Sequence, residues 1–240
     1  MRIAVVADLH GRGDVWPWLR DDIAAAGVED ILFLGDYLDC LVSERRPIPV
    51  RRRSAAEVVE VNPGLWADLA GRLLVRGSQE DRVAGLLEPA DRPPELAALL
   101  AAPAEIVRFG GLFVHGHRLP WASSTTPPWR PATLPVAPPA MSPVASPAAP
   151  DVPPRPARLV FAGHSHRTQL LRRPTSRAPW EACPVEAGRW VPVPDGSEVF
   201  VNVGPARSRP AQWLGLDVSG PEPDARVVAL HFTETAVPAR

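Results

Sequence analysis

The chain has 240 residues, enough for one large domain or two small ones with a substantial core. Hydrophobic residues make up 45% and charged residues 22%, and the formal net charge of -1 gives no general attraction to nucleic acid or to an anionic membrane. The two cysteines, Cys40 and Cys183, form no CxxC pair, which argues against a disulfide framework and a zinc ribbon. The sequence shows neither an N-terminal signal pattern nor an apolar run of about 18 residues, so we expect a soluble, cytoplasmic protein with no membrane partner.

Apolar runs alternate with helical patterns along the first half of the chain. The predicted elements are strands at residues 3–7, 31–34 and 73–75, helices at 15–26, 63–72, 81–88 and 94–101, and a hairpin at 106–114. Continuous apolar strands of this kind are typical of a sheet that is covered on both faces. This half of the chain therefore predicts an α/β fold.

The second half contains a compositionally distinct insertion followed by strands. Residues 119–158 are dense in Pro, Ala, Ser and Thr, and they predict a disordered or polyproline-like insertion that acts as a linker or a lid. If it is a lid, deleting residues 123–154 is expected to change substrate preference. A buried strand at 159–162 follows, and strands at 198–201, 212–218 and 226–232 are expected to form a second sheet, which gives a layered α/β sandwich.

Four of the predicted strands end in residues of metal-ligand type. The pairs are Asp8 and His10, Asp36 and Asp39, His115 and His117, and His164 and His166. Five of the six histidines lie in these short motifs, so chance turns explain the pattern poorly. Ligand sites of open α/β folds collect at the carboxyl ends of strands. The sequence therefore predicts a metal site built from several loops at one edge of the fold.

Carboxylates and imidazoles together suit manganese, iron, zinc or nickel better than calcium. A pair of divalent ions about 3.5–4 Å apart needs a bridging carboxylate, and it can activate a water and neutralise a phosphoryl group. The composition of the site therefore favours hydrolysis of phosphoesters.

The ordered set of motifs resembles the signature blocks of the calcineurin-like metallophosphoesterases. The matching segments are Asp8-x-His10, Gly35-Asp36-x-x-Asp39, His115-Gly116-His117, Gly163-His164-Ser165-His166 and, as in the bacterial phosphodiesterase branch, Asn202-Val203-Gly204. The resemblance covers residues 1–218 and implies one metallophosphoesterase domain over residues 1–240, an αββα sandwich of two mixed sheets with a dinuclear site at the strand ends. It also implies two divalent ions, manganese first among the candidates. By position, metal one takes Asp8, His10, Asp36 and His166, and metal two takes Asp36, His115, His164 and the residue at position 78.

Position 78 departs from the family pattern. The family has Gly-Asn-His-Glu or Gly-Asn-Cys-Asp here, whereas this chain has Gly77-Ser78-Gln79-Glu80. Ser78 stands where the metal-binding asparagine is expected, so metal two is loosely bound, completed by a water, or absent. Gln79 replaces the histidine that protonates the leaving group in many members, and Asp39 loses the partner that it orients in the phosphatase branch.

Two questions stay open at the level of sequence. His117 is either the leaving-group acid or a residue that hydrogen-bonds within its loop. The implied function is a phosphatase or phosphodiesterase in which a metal-activated hydroxide attacks phosphorus of a small-molecule or protein substrate; the alternative is a divergent, non-catalytic binding protein on the same scaffold. The sequence does not indicate an oligomeric state.

Overall fold

The structure is a computed structural model that describes residues 1–43, 53–119, 158–175, 177–193, 196–222 and 224–238. Nearly all of the predicted insertion lies outside the described residues. So does most of the arginine-rich stretch at residues 45–53, for which the sequence predicts an exposed loop. Within the described residues, no helix combines the length and the apolar character needed to cross a membrane.

The first sheet is mixed and has the strand order β3-β2-β1-β11-β12-β9. Its strands are β1 (Arg2–Val6), β2 (Asp30–Phe33), β3 (Leu73–Leu74), β9 (Trp190–Pro192), β11 (Ala211–Ser219) and β12 (Arg226–Thr235). Strands β1, β2 and β3 are parallel, and β1 pairs with β11 in the antiparallel sense. The carboxyl ends of the first three strands therefore meet at one edge.

The second sheet is also mixed and has the order β4-β5-β6-β10-β7-β8. Its strands are β4 (Glu105–Arg108), β5 (Gly111–Val114), β6 (Leu159–Ala162), β7 (Gln169–Arg173), β8 (Glu181–Cys183) and β10 (Glu198–Asn202). Strands β5, β6 and β10 are parallel neighbours, so their carboxyl ends also lie together. The predicted β4–β5 hairpin turns at Phe109 and Gly110, both with positive φ.

Alternation along β1 shows how the layers pack. Ile3 and Val5 belong to the core between the two sheets, whereas Ala4 and Val6 face a second core shared with the helices. The helices are α1 (Trp16–Ala25), α2 (Ala55–Val58), α3 (Pro63–Ala70), α4 (Ser78–Leu86) and α5 (Pro94–Leu100). In the part of the chain that the structure describes, all the helices that contribute to a core pack on the first sheet, and Leu119 and Trp180 pack on the outer face of the second.

The sandwich of two mixed sheets is confirmed, but the prediction that the three C-terminal strands at 198–201, 212–218 and 226–232 belong to one second sheet is wrong. Strand β10 joins the second sheet beside β6, whereas β11 and β12 complete the first sheet beside β1. The three strands have similar apolar patterns, and such a pattern shows that a strand is buried without showing which strand it pairs with.

Candidate metal centre

The candidate ligands lie on strained turns directly after the strands. Their φ angles are 55° at Asp8, 49° at His10, 50° at Asp36, 65° at His164 and 55° at His166. Residues other than glycine rarely adopt such values, and each costs of order 1–3 kcal/mol. This strain turns side chains from both sheets towards a common point, which is the pattern expected of a functional site.

The first cluster consists of Asp8, His10 and His166, whose ligand atoms lie within 4.8 Å of one another. Asp8 is fully buried, and its Oδ2 accepts the backbone N–H of His164 at 3.0 Å. The Nδ1 of His10 lies 3.2 Å from Oδ1 of Asp39. Because Nδ1–H donates to this carboxylate, the lone pair of His10 is on Nε2.

The second cluster consists of Asp36, His115 and His164, again within 4.8 Å of one another. The Nδ1 of His115 donates to the carbonyl oxygen of Leu34 at 2.7 Å, which leaves the lone pair on Nε2. This Nε2 lies 3.2 Å from Oδ2 of Asp36 without the alignment of a hydrogen bond. The two atoms are therefore placed as neighbouring ligands of one cation.

Asp36 lies between the two clusters. Its Oδ2 is 3.2 Å from Nε2 of His115 and 3.8 Å from Nε2 of His10. Burial acts to raise the pKa of Asp36, but the contact and charge of His115 outweigh it and hold the pKa below its ordinary value. Burial likewise acts to lower the pKa of His115, and Asp36 raises it to about 9. Both shifts have the same cause, because the close approach of Asp36 and His115 favours a positive charge between the two side chains.

The residues present fit two divalent cations. The Nε2 atoms of His10 and His115 are buried and have no hydrogen-bond partner within the described residues. Such orphaned acceptors are costly unless something binds them. Each faces a buried carboxylate, and mixed imidazole and carboxylate ligands suit transition metals.

Ser78 lies beside Asp36, and its hydroxyl is a hydrogen-bond donor to that carboxylate, whereas the asparagine expected at this position binds metal through its amide oxygen. Its Oγ is 3.1 and 3.0 Å from the two carboxylate oxygens of Asp36, to which it donates. Gln79 donates its backbone N–H to Oδ1 of Asp36 at 2.8 Å, while its side-chain oxygen accepts from the backbone of Cys40. Gln79 therefore points away from the clusters. The assignment of Ser78 as a metal ligand stays a prediction.

His117 lies next to the second cluster without joining it. Its ring centroid is 5.3 Å from that of His115, and its Nε2 lies 3.0 Å from Oδ2 of Asp81 and 3.2 Å from Nε of Arg118. The Nδ1 atom is buried and unpartnered among the described residues. Burial is the main cause of a lowered pKa at His117. The loop hydrogen bond predicted for this residue is therefore present, and its role as an acid stays a prediction.

Glu80 supports the site, and the sequence reasoning assigned it no role. Its fully buried carboxylate accepts the backbone N–H groups of Asp36, Leu38 and Gly77, each at 2.8 Å. Burial, followed by the charge of Asp36, raises the pKa of Glu80 to about 7. Two signals were available. A glutamate in the first turn of α4 indicates a helix start more directly than a site, and Glu80 matches the last position of the Gly-Asn-His-Glu block.

Asn202, from the last segment that matches the family motifs, supports the loop that carries two of the candidate ligands. With its amide oriented to satisfy its neighbours, Asn202 donates to the carbonyl oxygen of Gly163 at 2.8 Å and accepts from Oγ of Ser165. It thereby fixes the loop that carries His164 and His166. Five residues later, Nη2 of Arg207 lies 3.1 Å from Nδ1 of His166, a contact that nothing in the local sequence indicates.

The chain is therefore an α/β sandwich of two mixed sheets, whose parallel strands end in two adjoining clusters of carboxylates and imidazoles that could hold metal ions. Among solved structures, the chain is similar to a metallophosphoesterase from Sphaerobacter thermophilus, with 22% identity, coverage of 98% of this chain and 89% of that chain, and a TM-score of 0.56. The chain therefore has the metallophosphoesterase fold, and the resemblance of its motifs is confirmed at the level of the fold.

A second similar structure is Yfce, a phosphoesterase from E. coli, with 17% identity over 90% of this chain and 88% of that chain. Its TM-score of 0.40 is too low to support an argument about this chain. No protein-family model and no curated protein matches the sequence.

Proposed function

We propose that this chain is a metal-dependent phosphoester hydrolase, a phosphatase or phosphodiesterase that uses two divalent ions, manganese first among the candidates. The observation that carries the proposal is the pair of adjoining clusters, in which Asp36 of the second cluster also lies 3.8 Å from His10 of the first. Two divalent ions bound there would supply activation of a water and neutralisation of phosphoryl charge.

The residues of the chain contribute orientation and charge. Asp39 and the Leu34 carbonyl hold His10 and His115 with their lone pairs directed into the site. Glu80, together with the Ser78 and Gln79 donors, holds Asp36 between the clusters. Such outer partners commonly fix the tautomer and rotamer of metal ligands.

His117 is the proposed leaving-group acid. It is the histidine beside the second cluster, and Asp81 lies 3.0 Å from its Nε2, where it can stabilise a protonated ring. Replacing His117 by Ala should lower turnover of an alkyl phosphate by about 10²–10⁴-fold. An aryl phosphate with a good leaving group should lose much less. Equal losses on both substrates would contradict the role of an acid.

Hydrolysis and metal binding have to be measured on the same preparation. Protein loaded with manganese, iron, zinc or nickel should hydrolyse an aryl phosphate or a bis-aryl phosphodiester. His115→Ala should reduce kcat/KM by more than the roughly 10–100-fold expected for an outer partner. His231→Ala is the matched control, because His231 stacks on Trp190 and belongs to neither cluster. Metal binding without any hydrolysis would favour the non-catalytic binding protein instead.

A further inference from the structure

Arg207 lies at the open side of the first cluster. Its backbone N–H donates to the carbonyl oxygen of Asp8 at 3.2 Å, and the preceding Ala206 donates to Ala7 at 2.8 Å. The side chain is exposed, and its guanidinium contacts Nδ1 of His166. The backbone of Arg207 is therefore fixed against the loop that carries Asp8, and its exposed side chain reaches His166.

Among the described residues, the guanidinium of Arg207 contacts no carboxylate. Arg12 and Arg209, by contrast, are both engaged by Asp14, at 2.7 and 3.5 Å. Arg207 thus adds an uncompensated positive charge next to the first cluster. Arginine presents a planar fork of donors that matches phosphate oxygens.

The contact between Arg207 and Nδ1 of His166 is incompatible with metal binding through Nε2, the nitrogen of His166 that faces the cluster. A guanidinium can only donate, so Nδ1 of His166 must accept and the neutral ring carries its proton on Nε2. Nε2 is the atom that faces the cluster, 3.5 Å from Oδ1 of Asp8. To bind a metal, Nε2 must offer a lone pair, so the proton of the neutral ring moves to Nδ1. The Nδ1–H of His166 and the guanidinium of Arg207 are then two donors that face each other.

We propose that Arg207 determines substrate specificity. In the metal-free protein its guanidinium is hydrogen-bonded to His166. Metal binding breaks this contact, and the guanidinium then binds a non-bridging oxygen of a phosphomonoester. This inference rests on the proposed hydrolase function. The loop from Ala206 to Arg207 keeps the guanidinium within reach of the first cluster after release, because both backbone anchors are independent of the His166 contact.

Charge favours monoesters as the substrate class. The carboxylates of Asp8 and Asp36 only partly neutralise two divalent ions, and Arg207 adds a further positive charge. The dianionic phosphoryl group of a monoester gains more from that extra charge than the monoanionic group of a diester, since Coulomb attraction scales with the product of the charges. Arg207 should therefore raise the preference for monoesters.

Binding of inorganic phosphate tests the subsite without requiring turnover. Calorimetric titration of the manganese-loaded protein should show phosphate affinity falling about tenfold or more in Arg207→Gln, with metal content unchanged. Arg167→Gln is the control, since Arg167 follows His166, is exposed, and has no side-chain hydrogen bond or ion pair among the described residues. Wild-type affinity in Arg207→Gln, or no phosphate binding by the wild type, would overturn the proposal.

The release step has its own signature. ¹⁵N NMR of the histidines should show His166 protonated on Nε2 in the metal-free protein and on Nδ1 after zinc is added. A ring protonated on Nδ1 before zinc is added would overturn the release step.

Substrate preference separates this inference from the proposed function. The ratio of kcat/KM for an aryl phosphate to that for a bis-aryl phosphodiester should fall about tenfold in Arg207→Gln, and an unchanged ratio would refute the monoester preference. Arg207-dependent phosphate binding by a protein that hydrolyses nothing would support the subsite while the hydrolase proposal fails.

Discussion

Asp39 contacts His10. This contact gives Asp39 a role although the histidine expected at position 79 is replaced by Gln79. The family pattern pairs this aspartate with a histidine at position 79, but here Gln79 bonds to the backbone of Cys40. The Oδ1 of Asp39 instead lies 3.2 Å from Nδ1 of His10. The carboxylate thus acts on a candidate metal ligand and not on a leaving-group acid.

Replacing Asp39 by Ala should weaken metal binding at the first cluster by about 10–100-fold, because His10 loses the partner that fixes its tautomer. Competition with a chromophoric chelator measures this change. Asp21→Ala is the matched control, since Asp21 is exposed on α1 and its carboxylate contacts Arg20 at 3.5 Å. Equal metal affinity in the two variants would show that Asp39 is not part of the metal site.

Replacing Ser78 by Asn tests the second metal. An amide oxygen reaches further than the serine hydroxyl, which is committed to Asp36. The affinity for the second ion should rise about tenfold or more, equivalent to roughly 1.4 kcal/mol or more. Metal content per chain, measured after dialysis at several free metal concentrations, would reveal the change, with Ser219→Asn at an exposed strand end as the control. A second ion bound equally well by the wild type would mean that the serine or a water completes the site.

The six residues predicted as ligands on strand ends lie together in two clusters, and their binding of metal stays a prediction. They were predictable because parallel strands deliver their carboxyl ends to a common edge. The contacts made by Gln79, Glu80 and Arg207 were not predictable from the sequence. Each joins loops far apart in the sequence, for example Arg207 with His166, and no local pattern encodes such a pairing.

At the level of elements, Gly77 sets how closely the start of α4 approaches the loop after β2. A Cβ at Gly77 would collide with the backbone nitrogen and the carboxylate of Asp36, and a Cβ at Gly35 would lie 2.6 Å from the backbone of Gly77. The two loops pack glycine against glycine. This contact brings Ser78 and Gln79 within hydrogen-bonding distance of Asp36.

Gly77→Ala should destabilise the protein by about 1–3 kcal/mol through this overpacking and should weaken metal binding. Gly85→Ala in the same helix has open space around the new Cβ and should stabilise the protein by about 0.5–1 kcal/mol. Urea unfolding of the two variants measures both effects. Similar changes in both would show that helix propensity, and not the close contact at Asp36, decides the outcome.

The strands that carry the site were predictable, whereas the edge strands β8 and β9 were not. β5, β6 and β10 are buried and each contains at least three consecutive apolar residues, but β8 and β9 are short and largely exposed. A short exposed strand has neither a strong apolar run nor a clear alternation. Its position is decided by the neighbour to which it bonds, and that information is not local.

At the scale of the whole molecule, segments from both halves of the chain interleave. The first sheet joins β1, β2 and β3 to β9, β11 and β12, with β1 and β11 as central neighbours. Removing the C-terminal strands would leave β1 without a partner on one side. This topology supports the proposal that residues 1–240 form a single domain.

A single domain of this kind should unfold in one cooperative transition in the presence of a chelator. Far-UV circular dichroism reports the strands and helices. Tryptophan fluorescence reports the core between the helices and the first sheet through Trp16, Trp66 and Trp213, and the outer face of the second sheet through Trp180. The two probes should give the same midpoint. Separate midpoints would indicate that parts of the chain fold independently.

Metal should shift that transition as a whole, because both clusters join loops from the two sheets. At a free concentration of about 100 times the dissociation constant, each bound ion should add about 2.7 kcal/mol to the free energy of unfolding. Asp36→Asn removes one ligand charge between the clusters, so most of the increase should disappear, whereas Asp21→Asn should retain it. An increase of the same size in Asp36→Asn would mean that the stabilising ions bind elsewhere on the molecule.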